Sequence, residues 1–179
     1  GYSPATRILD APFVIDQGPG LGKWKPANYT KKFYGPSAMR IGIEKSRNLM
    51  TVRLARTIGM KAVANYAYKF DIMANMPEQL SMSLGAGETT LMKLTAAYAM
   101  LVNGGKQIRP TFIDRIQDRN GKTVFRQEER ICSACNAKFQ SRSLVPQVPD
   151  LRAQVVSSTS AYQMAVSYTH LRAHETEAD

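Results

Sequence analysis

Residues 89–105, TTLMKLTAAYAMLVNGG, constrain the fold more than any other stretch of the chain. Leu91, Leu94, Tyr98, Leu101 and Val102 recur at spacings of three and four, which predicts an amphipathic helix. Thr89 or Thr90 can cap its start, and Gly104-Gly105 can end it. So apolar a helix is expected in the core. The period then changes. PTFIDRIQDRNGKTVFRQ reads as two extended runs around Asn120-Gly121, a dipeptide that favours the tight turn of a β-hairpin.

The upstream half supplies more helix. Residues 1–35 are dense in Gly, Pro and aromatic side chains and read as ordered loop with short extended pieces. A short helix is expected after Gly35-Pro36-Ser37, with Ser37 as its N-cap, ending near Lys45. A second helix begins near Asn48, carries Leu49, Val52, Leu54, Ala55 and Ile58 on one stripe, and stops at Gly59. A third runs from Met60 to about Phe70, and Pro77 breaks the pattern. LSMSLG is expected to be extended, and residues 130–160 to be a polar surface excursion.

At 179 residues the chain can hold one domain with a real core. No apolar run is long enough to cross a bilayer, and the first residues are not a signal peptide. They read as a chain entered in mid-domain. The formal charge of +10 is dispersed from Arg7 to Arg152, as on a solvated surface, which argues against a nucleic-acid partner.

Three motif-like strings fail on chemistry. GPGLGKW has Gln17 and Trp24 where a phosphate-binding loop needs glycine and a hydroxyl. Lys122-Thr123 sits in the expected hairpin turn. His170 and His174 have the spacing of helical metal ligands but lack the accompanying general base, so no metal or cofactor is expected. Cys132 and Cys135, in C-x-x-C spacing, remain open between a local disulfide and two inert thiols.

Ser46-Arg47-Asn48 falls at the expected junction between the first two helices. In its context this segment resembles the S-x-N motif of class A penicillin-binding proteins. GYSPATRILDAP, WKPANY, FYGPSAMR and SLGAGETTLMKLTAAYAMLVNGG resemble the same family in the same order. The likeness covers residues 1–130 well and the Tyr162-Gln163-Met164 neighbourhood more weakly. It implies an α+β fold of the serine β-lactamase and D,D-transpeptidase type, here a helical subdomain with an incomplete antiparallel sheet.

The resemblance also implies a chemistry. A serine in S-x-x-K attacks a peptidoglycan stem peptide ending in D-Ala-D-Ala, and β-lactam antibiotics acylate the same serine in the full-length parent. Ser46 would relay protons between the lysines of the other two motifs, and Asn48 would hold the donor peptide. Glu88 and Thr90 could face the same cleft, although capping is the plainer role for that stretch. Trp24 and Tyr29 could frame a groove or serve as packing anchors. The parent would be a bifunctional glycosyltransferase and transpeptidase on the periplasmic face of the inner membrane. Membrane contact would come only through an upstream anchor, and a Cys132–Cys135 disulfide could form in that compartment.

Two motifs are missing. No serine has a lysine three residues later, and Lys122-Thr123 is followed by Val124 rather than glycine. The domain assignment is therefore a transpeptidase fragment over 1–165. Residues 166–179, VSYTHLRAHETEAD, resemble translated adapter sequence rather than the family. A small basic module for anionic polymer and a serine β-lactamase are the alternatives. Because the nucleophile's motif is absent, a fluorescent penicillin should leave this chain unlabelled on a denaturing gel; a covalent band would overturn that expectation.

Overall fold

The computed structural model describes residues 1–16, 20, 22–128, 130, 132, 135 and 148–175, the last six by backbone alone. Gln17, then Gly18, Pro19 and Leu21 of the GPGLGKW stretch that follows it, and the side chains of His170 and His174, lie outside the described residues.

Strand β1 (Arg7–Asp10) pairs antiparallel with β4 (Gly35–Ala38), setting Arg7 opposite Ala38 and Asp10 opposite Gly35. Between them a ribbon forms from β2 (Ile15–Asp16) and β3 (Lys23–Trp24). The β1–β4 pairing corrects the expected start of the first helix. Ser37 is in a strand, its hydroxyl donates to the Gly35 carbonyl, and helix α1 (Met39–Glu44) starts after Ala38 without a side-chain cap. A Gly-Pro-Ser string looks like a helix entry locally, but a partner strand some 30 residues away holds it extended.

Helices α2 (Asn48–Ile58) and α3 (Met60–Lys69) have the expected limits. Gly59, at φ 86°, ends one and begins the other, a left-sided conformation that glycine adopts without steric cost. α2 buries Leu49, Met50, Val52 and Ala55. Leu49 and Val52 meet Phe13, and Ile15, Trp24, Leu80 and Leu84 close around them. Trp24 is therefore a packing anchor. The Arg53 guanidinium donates to the carbonyls of Ala11 and Pro12 at 3.2 and 2.7 Å, tying the first loop to the same helix.

LSMSL, expected to be extended, is a 3-10 helix over Leu80–Leu84 that packs against α2. Its Leu80 and Leu84 occupy the first core, so burial rather than local alternation sets its conformation.

Helix α4 (Leu91–Val102) is capped by Thr90, whose Oγ1 accepts the Lys93 N–H at 3.3 Å. Its buried face is not the expected one. Ala96, Ala97 and Met100 are inside, whereas Leu91 and Val102 are 81% and 79% exposed. The helix is apolar on nearly every side, so its sequence offers several equivalent stripes and packing chooses among them. Ala97 and Met100 join Phe70 in a second core with Ile72, Ile108, Val155 and Val156.

The hairpin forms as expected from β5 (Arg115–Gln117) and β6 (Thr123–Arg126), and the Asp118 carboxylate accepts the backbone N–H of Asn120 and of Lys122 in its turn. Part of the supposed surface excursion is wired inward. The Gln107 N–H donates to Ala153 and the Val155 N–H to Gly105, both at 2.8 Å. Lys106 and Arg152 both bind Asp150, whose carboxyl lies well below its usual range chiefly through Arg152 and then Lys106. Helix α5 (Ser158–Glu175) follows, runs unbroken past residue 166, and packs on α1 and α4. Tyr168 meets Tyr98 edge-on, and burial, with help from that hydroxyl contact, raises its phenol to about 12.

Two substitutions test this packing. Leu49→Ala should cost about 2–5 kcal/mol, read by chemical denaturation, because the side chain is fully buried. Gly105 has φ 80°, and a Cβ there would lie 2.2 Å from the Val156 carbonyl oxygen. Gly105→Ala should therefore speed hydrogen exchange at Gln107 and Val155 while leaving α2 protected.

Candidate functional site

The Ser46–Asn48 segment is built by the way α1 stops. The Ser46 N–H reaches back to the Ile43 carbonyl at 3.1 Å and the Arg47 N–H to Gly42 at 2.8 Å. This pair of bonds is the Schellman motif, and it places Ser46 at the position where the chain turns left-handed. Ser46 has φ 47°, a conformation usually given to glycine and costing another residue about 1–2 kcal/mol. Its hydroxyl is exposed and has no hydrogen-bond partner among the described residues. Serine is thus held where glycine would be easier.

The next residues are held from the side by the WKPANY loop. Asn48 Nδ2 donates to the Ala27 carbonyl at 3.0 Å. Its Oδ1 keeps no partner among the described residues, so it can accept from a ligand. The Leu49 N–H, in the first turn of α2, donates to Asn28 Oδ1 at 3.2 Å. An unpaired helix-start N–H is thereby capped from another part of the chain. Asn28 Nδ2 in turn donates to Asp10 Oδ1 at 2.8 Å and to the Lys32 carbonyl at 2.9 Å. Asp10 and Asn28 are both buried.

Ser46 and Asn48 open on a cavity of about 330 Å³, shared with Tyr29, Thr30 and Lys45. Tyr29 is 96% exposed, so of the two aromatics considered for a groove it is the one at the site's rim. Glu88 lies on the exposed loop before α4, and Thr90 is engaged as the α4 cap. Thr90 lines a different cavity, with Lys93 and Asp71, and neither it nor Glu88 lines that of Ser46. The motif pattern picked out Ser46 and Asn48. It gave no sign of Asp10 or Asn28, whose partners are 18 and 21 residues distant.

Cys132 and Cys135 are joined in a disulfide with their Cα atoms 5.4 Å apart. Nearby, hydrogen bonds from Arg130 lower the Glu128 carboxyl to about 2. Among the described residues no cluster of three or more His, Cys, Asp or Glu side chains could hold a metal.

Helices around a left-handed serine, with strands to either side in sequence, make this a mixed helix-and-sheet protein, and comparison with known proteins places that fold in the serine β-lactamase-like transpeptidase class. A family model for the penicillin binding protein transpeptidase domain matches residues 2–166, and the chain belongs to that family. It is 46% identical over 136 residues to penicillin-binding protein 1A of Rickettsia bellii (strain RML369-C), covering 76% of this chain and 17% of that protein. The crystal structure of penicillin-binding protein 1A from Haemophilus influenzae superposes with a TM-score of 0.76 at 26% identity, over 96% of this chain and 27% of that one. Penicillin-binding protein A of Mycobacterium tuberculosis, solved as a penicillin G acyl-enzyme complex, has a TM-score of 0.69 at 15% identity, over 96% and 40%. The anionic-polymer module is set aside by these findings.

The amide of Asn28 is the keystone in energetic terms. Asn28→Ala would leave the Asp10 carboxylate buried without its donor and the Leu49 N–H uncapped. The expected loss is about 2–4 kcal/mol by denaturant titration, from two buried polar groups left unpaired, and larger than for Asn48→Ala at the half-buried rim.

Proposed function

We propose that this chain supplies the Ser46–Asn48 part of a peptidoglycan D,D-transpeptidase that works by serine acyl transfer. The supporting observation is the pairing of an exposed, unpartnered hydroxyl on a left-handed serine with an anchored asparagine amide two residues on. A hydroxyl both accepts and donates, so Ser46 can pass a proton between a base and a leaving amine without itself becoming the acyl carrier. Asn48 Oδ1 can accept an N–H of the stem peptide, while its Nδ2 bond to Ala27 fixes the direction of the amide.

We propose that the nucleophilic serine and both motif lysines are supplied by other parts of the enzyme; the chain spans 17% of the curated relative from Rickettsia bellii. D-Ala-D-Ala stem peptides are the proposed substrate. β-Lactams would act on the parent enzyme, as the penicillin G complex of the Mycobacterium tuberculosis protein illustrates for that protein. We place the parent, with a glycosyltransferase domain, at the periplasmic face of the inner membrane. Residues 166–179 are proposed to be a non-native tail, in keeping with a family match that ends at residue 166, although α5 continues to Glu175 and Ser167 is buried.

A graft tests the assignment. Residues 2–166 would replace the matching segment of the Rickettsia bellii protein, and acylation by a fluorescent penicillin would be timed. Ser46→Ala should slow acylation about 100-fold or more, the usual loss for a proton-transfer group. Equal rates in the two grafts would refute the role.

A further inference from the structure

Resting on that functional reading, we propose that Arg47, the residue between the two motif positions, is a positioning residue, and that Asp10 is its buried counter-charge. A middle residue in such a motif needs only to span the gap. Here it does much more. The Arg47 guanidinium carbon sits 3.3 Å from the centroid of the Tyr34 ring, and the side chain is only 13% exposed. Its Nη1 lies 4.0 Å from Oδ2 of Asp10, whose carboxylate is fully buried.

These two atoms share one property. Asp10 Oδ2 and Arg47 Nη1 are both buried, and neither has a hydrogen-bond partner among the described residues. Asn28 satisfies only the other carboxylate oxygen. The charges therefore face each other across a gap slightly too wide for a hydrogen bond, away from water, where attraction is screened least. Stacking on Tyr34 fixes the plane of the guanidinium.

The consequence falls on Ser46. Its left-handed backbone is unfavourable for a serine and persists only if its neighbours hold it. On the far side Asn48 and Leu49 are tied to Ala27 and Asn28. Between them Arg47 is the first residue after the turn, and its side chain anchors that residue to Tyr34 and Asp10 at the β1–β4 end of the fold. Without it, Ser46 can relax toward an ordinary conformation, and its hydroxyl leaves the position facing the cavity. The bland alternative is that Arg47 and Asp10 matter only for stability.

The graft described above separates the two. Four variants would be compared: Arg47→Met, Arg47→Lys, Asp10→Asn and the double variant Arg47→Met with Asp10→Asn. Thermal midpoint and the penicillin acylation rate of the folded fraction would be read for each. The double variant removes both charges together, so it should melt closer to the unsubstituted graft than either charge-removing single variant. Its acylation should still be slowed about 10- to 100-fold, with the loss in the chemical step rather than in penicillin affinity. Arg47→Lys, which keeps the charge and loses the planar stack, should recover part of the rate.

A double variant that regains both stability and full acylation would overturn the proposal, and so would an Arg47→Met graft that folds and acylates normally. If Arg47→Met does not fold, the double variant and Arg47→Lys carry the same comparison. Ser46→Ala serves as the control. A normal rate in Ser46→Ala overturns the functional reading itself, whereas a slowed Ser46→Ala beside unaffected Arg47 variants overturns only the role of Arg47.

Discussion

The side-chain amide of Asn28 joins three parts of the chain that are distant in sequence. It donates to Asp10 at the end of β1, donates to the Lys32 carbonyl within its own loop, and accepts the Leu49 N–H at the start of α2. A neutral amide suits the task because it offers donors and an acceptor without adding charge to the interior. Once it is in place, the Ala27 carbonyl meets Asn48, and Asp10 lies beneath Arg47. The first core, Phe13 against Leu49 and Val52, forms directly under the same junction. Site and core are thus stabilised by the same few residues.

This economy explains why the site can carry a strained residue. A left-handed serine costs about 1–2 kcal/mol, a sizeable share of the net stability of a domain. The Schellman bonds fix Ser46 from its N-terminal side and the loop bonds fix it from its C-terminal side. The strain is borne by backbone N–H groups of the motif, the Asn48 Nδ2 and the Leu49 N–H, which leaves the Ser46 hydroxyl and the Asn48 Oδ1 free of intramolecular bonds among the described residues. A side chain already satisfied by the protein would have little left for a substrate.

The second half of the chain follows a different logic. α4 is apolar nearly all round, and the described residues cover mainly its Ala96, Ala97 and Met100 face. The return segment closes over Gly105, where any side chain would strike the Val156 carbonyl. The β5–β6 hairpin stands exposed along both strands. In the Haemophilus influenzae relative the matched region is 27% of the chain, so such a segment normally folds among much more polypeptide.

What the sequence determined by itself was whatever is encoded within a few residues. Gly59 and Gly104-Gly105 as helix stops, Thr90 as a cap, Asn120-Gly121 as a hairpin turn and the Ser46–Asn48 spacing are local, and the structure has the corresponding elements. The family was legible because several such segments kept their order. Tertiary structure decided what depends on partners far along the chain. Gly35–Ala38 became a strand because β1 pairs with it, and LSMSL a 3-10 helix because its leucines fill a core. α4 buried alanines rather than leucines because the segments folded against it met that face. Asp10, Asn28 and Arg47 gained their significance the same way. A buried hydrogen bond or ion pair needs two groups to meet, and no reading of either group alone reveals the meeting.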